Sequence, residues 1–414
     1  MPRRDNSQGG ASRHKYSRPA RGNNRGQNLV DTYERTVQRP PRREPRPSQE
    51  EQQNVHVDDL KLVTQRWEFR KEGKHKVLSD NTEFLVVGVI GGARTGKSTI
   101  LNSICGFSSK ATSPECASFP VGSPEDQACG KHCTVGIDMR VSSDRVIALD
   151  TQPVLSASVL LELLSCPSPC MELARSLSVA AARGARPPKT SAEAINMVMA
   201  LQTAIFLFSV CHVVVVVCDG PDDTRMWKLM ECVDIFAPLV SSATPMQGLA
   251  PQANQDSKEG FRFIGDCVFL HTNMSQENMM ASRIAALENS LQHLMVDSKL
   301  CRRGLVSCWS GTPLQQPKGM DNGGDRRKNL SFFVLPKESP SNDYEDQNSL
   351  LKVLMTRLRR QILGYPLRQF AHGLTEQEWL IWCGRVWDTL LKSKDVAEYF
   401  FRLQLTSYKD GGGW

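Results

Sequence analysis

The most specific chemistry in the chain lies in eight consecutive residues, Gly91-Gly92-Ala93-Arg94-Thr95-Gly96-Lys97-Ser98, a complete GxxxxGKS. Glycines at this spacing let successive backbone N–H groups curl round an anion, and the helix that follows adds positive potential at its first turn. Lys97 then reaches the β and γ oxygens of a nucleotide, and the Ser98 hydroxyl can ligate Mg²⁺. Thr134, within His132-Cys133-Thr134-Val135-Gly136-Ile137-Asp138, stands where a switch threonine would meet Mg²⁺ and the γ-phosphate. Asp150 closes the apolar run Val146 to Leu149 and is expected to hold Mg²⁺ through water. The expected ligand is a purine nucleotide with Mg²⁺.

Other parts of a working nucleotide hydrolase are absent. Asp150 is followed by Thr151-Gln152-Pro153, so proline stands where a GTPase carries the glycine three residues after the acid. Proline has no backbone N–H to offer the γ-phosphate, and sensing of that group is expected to be weak. The strand-like Phe269-Leu270 runs into His271-Thr272-Asn273-Met274-Ser275, without the Lys and Asp of an Asn-Lys-x-Asp guanine reader. Base choice between ATP and GTP or GDP stays open on the residues alone. No Gln or Arg is evidently placed to orient water, and Arg94 is the only nearby cation besides Lys97. Little or no hydrolysis is expected, and no catalytic residue is assigned.

The elements that must position these residues follow from patterning. Phe84 to Ile90 is a continuous apolar run rich in β-branched residues, as in a strand buried on both faces. Arg145 to Leu149, Val213 to Val217, Cys267 to Leu270 and Phe332 to Leu335 repeat the type. Helical spacing appears over Ser98 to Ile104, Ala194 to Phe208, Met226 to Phe236, Ile284 to Met295 and Leu350 to Ile362. Alternation of strand and helix predicts an α/β domain with a mostly parallel sheet, a P-loop NTPase or G-like fold, spanning 83–365. Segments at about 161–190, 241–260 and 309–329 lack strong periodicity and read as loop insertions. Residues 61–82 read as a linker or lead-in, ordered sequence being expected from Phe84. Over 366–408 a helical extension is expected to pack on the domain or on a partner. It opens with a Thr375 to Glu378 capping box and carries Trp379, Trp382 and Trp387 on one stripe, which reads as core.

The charge is uneven. Of 51 Lys/Arg and 44 Asp/Glu, residues 1–50 hold 12 and 5, which leaves 39 of each sign in the rest. Residues 1–60, rich in Arg, Gly, Asn, Pro and Gln, read as a disordered basic tail able to make weak, non-specific contact with RNA phosphates. No apolar segment follows Met1, so a secretory signal is not expected. Thirteen cysteines in no even framework, several inside apolar runs, suit a reducing compartment, and a cytoplasmic protein is expected. Met199 to Cys218 is long enough to cross a bilayer, but Gln202 and His212 interrupt it. A buried helix running into a buried strand, with no membrane, is the expected structure, and His212 is expected in the core. Cys129, His132 and Cys133 are closely spaced soft ligands without a second pair at zinc-finger spacing, so a metal there is not expected.

Three blocks together carry a resemblance. Asp150-Thr151-Gln152-Pro153-Val154-Leu155-Ser156 is the most specific; Leu201-Gln202-Thr203-Ala204 through Val213-Val214 and Leu374-Thr375-Glu376-Gln377-Glu378-Trp379 with Arg385-Val386-Trp387-Asp388 accompany it. The chain from about Glu83 to Leu403 resembles nonsense-mediated mRNA decay factors, the ninth protein of the SMG set, which is the G-domain subunit of the decay kinase complex. The resemblance implies a G-like fold paired with a second G-like subunit. It further implies action on a phosphatidylinositol-kinase-related protein kinase whose substrate is an RNA helicase. Carried across, nucleotide-binding positions are Gly91, Gly92, Arg94, Thr95, Gly96, Lys97, Ser98 and Thr99, with Ser98, Thr134 and Asp150 towards Mg²⁺. The loop with Leu101-Asn102 is also similar to those of guanylate-binding and dynamin-like GTPases acting on membranes, against which the missing guanine reader and Pro153 weigh. A third reading, an RNA-binding scaffold working through the tail, rests on its arginines.

Overall fold

The computed structural model describes residues 60–74, 77–107, 117–181, 191–244, 263–302, 304–309, 330–338, 345–366, 370 and 374–410. The basic tail before Leu60, most of the 241–260 insertion and the 309–329 insertion beyond Trp309 lie outside the described residues. Seven strands form one sheet: β1 (Lys61–Val63), β2 (Leu85–Gly91), β3 (Ile137–Val141), β4 (Val146–Thr151), β5 (Val213–Asp219), β6 (Asp266–Met274) and β7 (Ser331–Pro336). Their order is β1-β3-β4-β2-β5-β6-β7. The run from β4 through β7 is parallel, whereas β3 pairs antiparallel with both β4 and β1. The fold is therefore α/β with a mostly parallel, mixed sheet.

The apolar runs are the inner strands, because helices cover both faces and leave no side of a strand for water. All seven residues of β2 are buried, and Val213 to Cys218 of β5 are all inaccessible. β2 lies between β4 and β5, with Val89 opposite Asp150 on one side and Val215 on the other. The close pairing reaches the strand's last residue: a Cβ on Gly91 would sit 2.4 Å from the carbonyl oxygen of Val217. Only glycine lets β2 turn out there while still packed on β5.

Helices α1 (Lys97–Cys105), α6 (Thr224–Ala243), α7 (Ala281–Leu294) and α8 (Glu345–Leu363) follow β2, β5, β6 and β7. The first half of the chain departs from the sequence expectation in the strand β3, which patterning did not show, and in two further stretches. Residues 61–82 are not a mere linker: β1 is an edge strand, Leu60, Leu62, Val63, Trp67 and Leu78 are buried, and the Trp67 indole donates to Gln202 Oε1 at 2.8 Å. The stretch expected as loop over about 161–190 holds helix α4 (Pro167–Ala180), directly after α3 (Ala157–Ser165). Pro167 and Pro169 hid it. A proline in the first turn costs the helix no hydrogen bond, and α4 uses it that way.

The apolar segment across Met199 is α5 (Ala192–Val210), among the described residues the one helix long and apolar enough to cross a membrane. Its most apolar window is 83% buried inside the protein. Much of that cover comes from the C-terminal helices α9 (Glu376–Leu391) and α10 (Lys394–Asp410), which pack on it. The Thr375–Glu378 capping box is formed in both directions. Trp379 and Trp382 donate their indole N–H groups to Val210 O at 2.8 Å and Ser209 O at 3.3 Å, satisfying carbonyls at the end of α5 that no helical partner reaches. Trp387 packs against Phe206 and Trp67 at centroid distances of 5.3 and 5.4 Å. Fully burying a large apolar side chain is worth about 1.5–3 kcal/mol, so the indole stripe docks α9 on the sheet domain as core.

A carboxylate locks the same corner. Glu376 is fully buried and accepts from Ser79 N at 2.8 Å, Ser79 Oγ at 3.1 Å and Arg145 Nε at 2.8 Å, with Arg145 Nη2 beside it. The lead-in, the β3–β4 turn and α9 thereby meet at one residue. His212 lies in the core as expected, its Nδ1 accepting from Val86 N at 2.9 Å among Phe84, Phe263 and Phe370.

Candidate functional site

The glycine-rich loop leaves the carboxyl end of β2 and enters α1. Gly91 ends the strand, Gly92 to Gly96 make the turn with Arg94 at φ 63° and Gly96 at φ 83°, and Lys97 and Ser98 start the helix. Thr95 is buried beneath the turn, and its carbonyl accepts from Thr272 Oγ1 at 3.1 Å, which ties the loop to β6. Lys97 folds back and donates from Nζ to Gly92 O at 2.7 Å. Arg94, in the turn, and Thr99, in the first turn of α1, are exposed and line a cavity beside the loop.

Three of the expected metal-side residues converge. Asp150 Oδ2 accepts from Ser98 Oγ at 2.7 Å and from Thr134 Oγ1 at 2.8 Å. The parallel register puts Asp150 opposite Val89 and the antiparallel register puts Asp138 opposite it, while Thr134 reaches it from the segment just before β3. Asp150 has no exposed surface, and its other oxygen, Oδ1, is buried without a hydrogen-bond partner. A carboxylate that gathers two hydroxyls on one oxygen and leaves the other orphaned suits a hydrated divalent cation, so the donor set fits Mg²⁺. Burial raises the Asp150 pKa, with Asp138 adding to the rise, while Lys97, Ser98 and Thr134 pull it down. Burial likewise lowers Lys97 to about 8, opposed by Asp150, so each charge is costly without the other, or without an anion beside Lys97 and a cation beside Asp150.

Two cavities flank the loop. One of about 220 Å³ is bounded by Lys97, Ser98, Thr134, His132 and Pro153, and one of about 370 Å³ by Arg94, Lys131, Ser156, Asp219 and Arg225. Among the described residues no group of three potential metal ligands occurs, the Cys129–Cys133 segment included. His132 Nε2 instead faces Glu162 Oε2 at 3.2 Å. Burial lowers its pKa, Glu162 opposing and Lys97 adding to the effect. Where a guanine reader would lie, Asn273 Nδ2 donates to Asp219 Oδ1 at 2.7 Å and His271 Nδ1 bonds Gly220 O at 2.7 Å, so these side chains tie β6 to β5.

Sequence reasoning missed the backbone traffic after Asp150. Gln152 N donates to Gly136 O at 2.8 Å while Gln152 Oε1 accepts from Gly136 N at 2.8 Å. Val154 N donates to Gly91 O at 3.0 Å. The Asp-Thr-Gln-Pro string marked the place without naming these partners.

Fold and site define an α/β protein of mixed, mostly parallel sheet, with a glycine-rich loop, a lysine and a hydroxyl–carboxylate cluster at the carboxyl end of its central strand. No protein-family model matches the chain. It is similar to the nonsense-mediated mRNA decay factor SMG9 of Xenopus laevis, 29% identical over 341 residues, 78% of this chain and 62% of that protein. SMG9 of Salmo salar is 28% identical over 350 residues, 78% of this chain and 63% of that protein. SMG9 of Xenopus tropicalis is 29% identical over 341 residues, with coverages of 78% and 62%. The chain thus spans less than two thirds of the length of these relatives. The resemblance to the ninth SMG protein is shown by these relatives, and the guanylate-binding and dynamin-like alternative finds no support.

Proposed function

We propose that the chain is a nucleotide-binding, non-catalytic subunit acting in nonsense-mediated mRNA decay. It pairs with a second G-like subunit, and the pair regulates a phosphatidylinositol-kinase-related protein kinase that phosphorylates an RNA helicase. The decay role rests on the SMG9 relatives. Nucleotide binding rests on one observation above all: Lys97, Ser98, Thr134 and Asp150 meet under the glycine loop with a buried carboxylate oxygen left over. The loop N–H groups and Lys97 bind the phosphates of a purine nucleotide, while Ser98, Thr134 and, through water, Asp150 hold Mg²⁺, which neutralises phosphate charge. Pro153 and the committed amide of Gln152 leave nothing there to orient an attacking water, so the nucleotide serves as a structural ligand in a cytoplasmic, membrane-free protein.

A ligand that binds only the folded state stabilises it by about 2.7 kcal/mol at a hundredfold over its dissociation constant. Lys97→Ala in the full chain is expected to lose that increment and to lower the yield of the pair in a ribonuclease-treated pull-down read by mass spectrometry. The parent is expected to retrieve a second G-like subunit and a very large kinase. Retrieval of self-oligomers alone, or a Lys97→Ala chain that assembles and melts like the parent while losing phosphate release, contradicts the proposal.

A further inference from the structure

The segment that carries Thr134 to the metal side is pinned by groups that owe nothing to a nucleotide. Gly136 exchanges both backbone hydrogen bonds with Gln152, one through the Gln152 backbone N–H and one through its side-chain Oε1, each at 2.8 Å. Lys61 Nζ donates to Val135 O at 2.7 Å and to Asp138 Oδ1 at 2.7 Å. Gly136 sits at φ 71° so close to β1 that a Cβ would lie 2.0 Å from Val63 O. Gln152 is itself buried. Three holds of different kinds converge on the two residues after Thr134.

The segment on the other side of the site is equally committed. Gln152 N is spent on Gly136 O, Pro153 has no N–H, and Val154 N is spent on Gly91 O at 3.0 Å. Three successive residues, of which Pro153 lines the 220 Å³ cavity and Val154 the 370 Å³ one, thus offer no backbone donor to a third phosphate. A γ-phosphate sensor works by trading one set of hydrogen bonds for another when the phosphate arrives or leaves. Here the first set is complete without it.

Resting on the nucleotide reading above, we infer that the site takes nucleoside diphosphate and triphosphate with nearly equal strength. Gln152 is the positioning residue: it keeps Thr134 at the metal side in both. The two ligands have no differential contact in the 152–154 segment, and Lys97, which serves β and γ oxygens alike, is left as the group a third phosphate meets, so no bond is traded there when that phosphate arrives.

The test is calorimetric titration of the full chain with GDP, ADP and the non-hydrolysable imido analogues of GTP and ATP, each in Mg²⁺ and in EDTA. For the preferred base, the two phosphate states are expected to bind within about fivefold of each other, less than one hydrogen bond to a charged group supplies. Gln152→Met keeps the length and loses the acceptor. It should lose about tenfold in Mg²⁺ and nothing in EDTA, a split that a merely structural role does not produce. Pro153→Gly returns an N–H and is expected to create a triphosphate preference of about tenfold, which keeps the inference testable should Gln152→Met fail to fold. A parent that prefers triphosphate by more than about tenfold overturns the inference while leaving nucleotide binding intact. Unchanged Mg²⁺ dependence in a folded Gln152→Met overturns the role of Gln152, and silence with all four ligands overturns this inference and the nucleotide reading together.

Discussion

Asp150→Asn separates a cation site from a packing motif, because the two give opposite signs. The carboxylate is wholly buried, and burial, the largest influence, raises its pKa above the ordinary carboxylate value despite Lys97, Ser98 and Thr134. A carboxyl whose pKa rises on folding contributes stability that is complete below the unfolded pKa and is lost as pH climbs through the folded one. At neutral pH, above the ordinary carboxylate pKa of the unfolded chain, the buried Asp150 therefore weakens the empty protein. Asparagine has the same shape, and its amide can meet the Ser98 and Thr134 hydroxyls, which serve as donors or acceptors. Relieving a destabilised site of this kind commonly returns about 1–2 kcal/mol, or ~2–4 °C in Tm per kcal/mol for a large domain. With Mg²⁺ and nucleotide at a hundredfold excess the order should reverse, the parent gaining about 2.7 kcal/mol and the variant little. Urea unfolding followed by fluorescence of the seven tryptophans, with and without ligand, reads both effects. A variant less stable than the parent when empty, yet shifted as far by Mg²⁺ and nucleotide, would refute the reasoning.

Three further outcomes are expected. Glu376→Ala removes the carboxylate that Arg145 and the Ser79 N–H meet, leaving Arg145 its bond to Ser79 Oγ, and should cost about 3 kcal/mol, the low end for breaking a buried pair because Arg145 is one-third exposed; an unchanged urea midpoint contradicts it. Trp379→Phe removes the donor to Val210 O along with part of a packed ring and should cost on the order of 1–3 kcal/mol, read by the same unfolding curves. His271 is held below the usual histidine pKa chiefly by burial, with Gly220 and the carboxylates of Asp223 and Asp222 opposing. Its folded ring stays neutral where the unfolded chain protonates, so stability is intact above about pH 6.5 and falls as pH drops below it. His271→Gln should flatten that decline in urea midpoints taken across pH, and parallel slopes count against it.

The strands that sequence patterning reveals are those buried on both faces, where every residue must be apolar: Phe84 to Ile90 and Val213 to Val217 could be nothing else. β3 escaped notice because it reads Ile-Asp-Met-Arg-Val, with a charge at every second position. Both charges are accounted for only in three dimensions, Asp138 by Lys61 from β1 and Arg140 by the Phe119 ring, whose centroid lies 5.3 Å away. β1 itself is three residues long, too short for any period, and is anchored by a tryptophan whose partners lie well over a hundred residues on. Local patterning cannot see contacts that pay off only across the chain.

The site divides along the same line. Lys97 and Ser98 were legible because the loop is a local device, and Asp150 because a strand end announces it; Thr134 was read from its place between two strand candidates, and a side-chain hydrogen bond joins it to Asp150. Gln152 was visible only as a letter in Asp-Thr-Gln-Pro, since its meaning lies in Gly136, sixteen residues earlier. The elements that patterning hid, the β1 edge and the antiparallel β3, are the ones that hold Val135 and Gly136 in place. A site that had to open and close would leave that edge loose. Here Lys61, Val63 and Gln152 close on it from three sides, an arrangement that accords with the structural ligand proposed above.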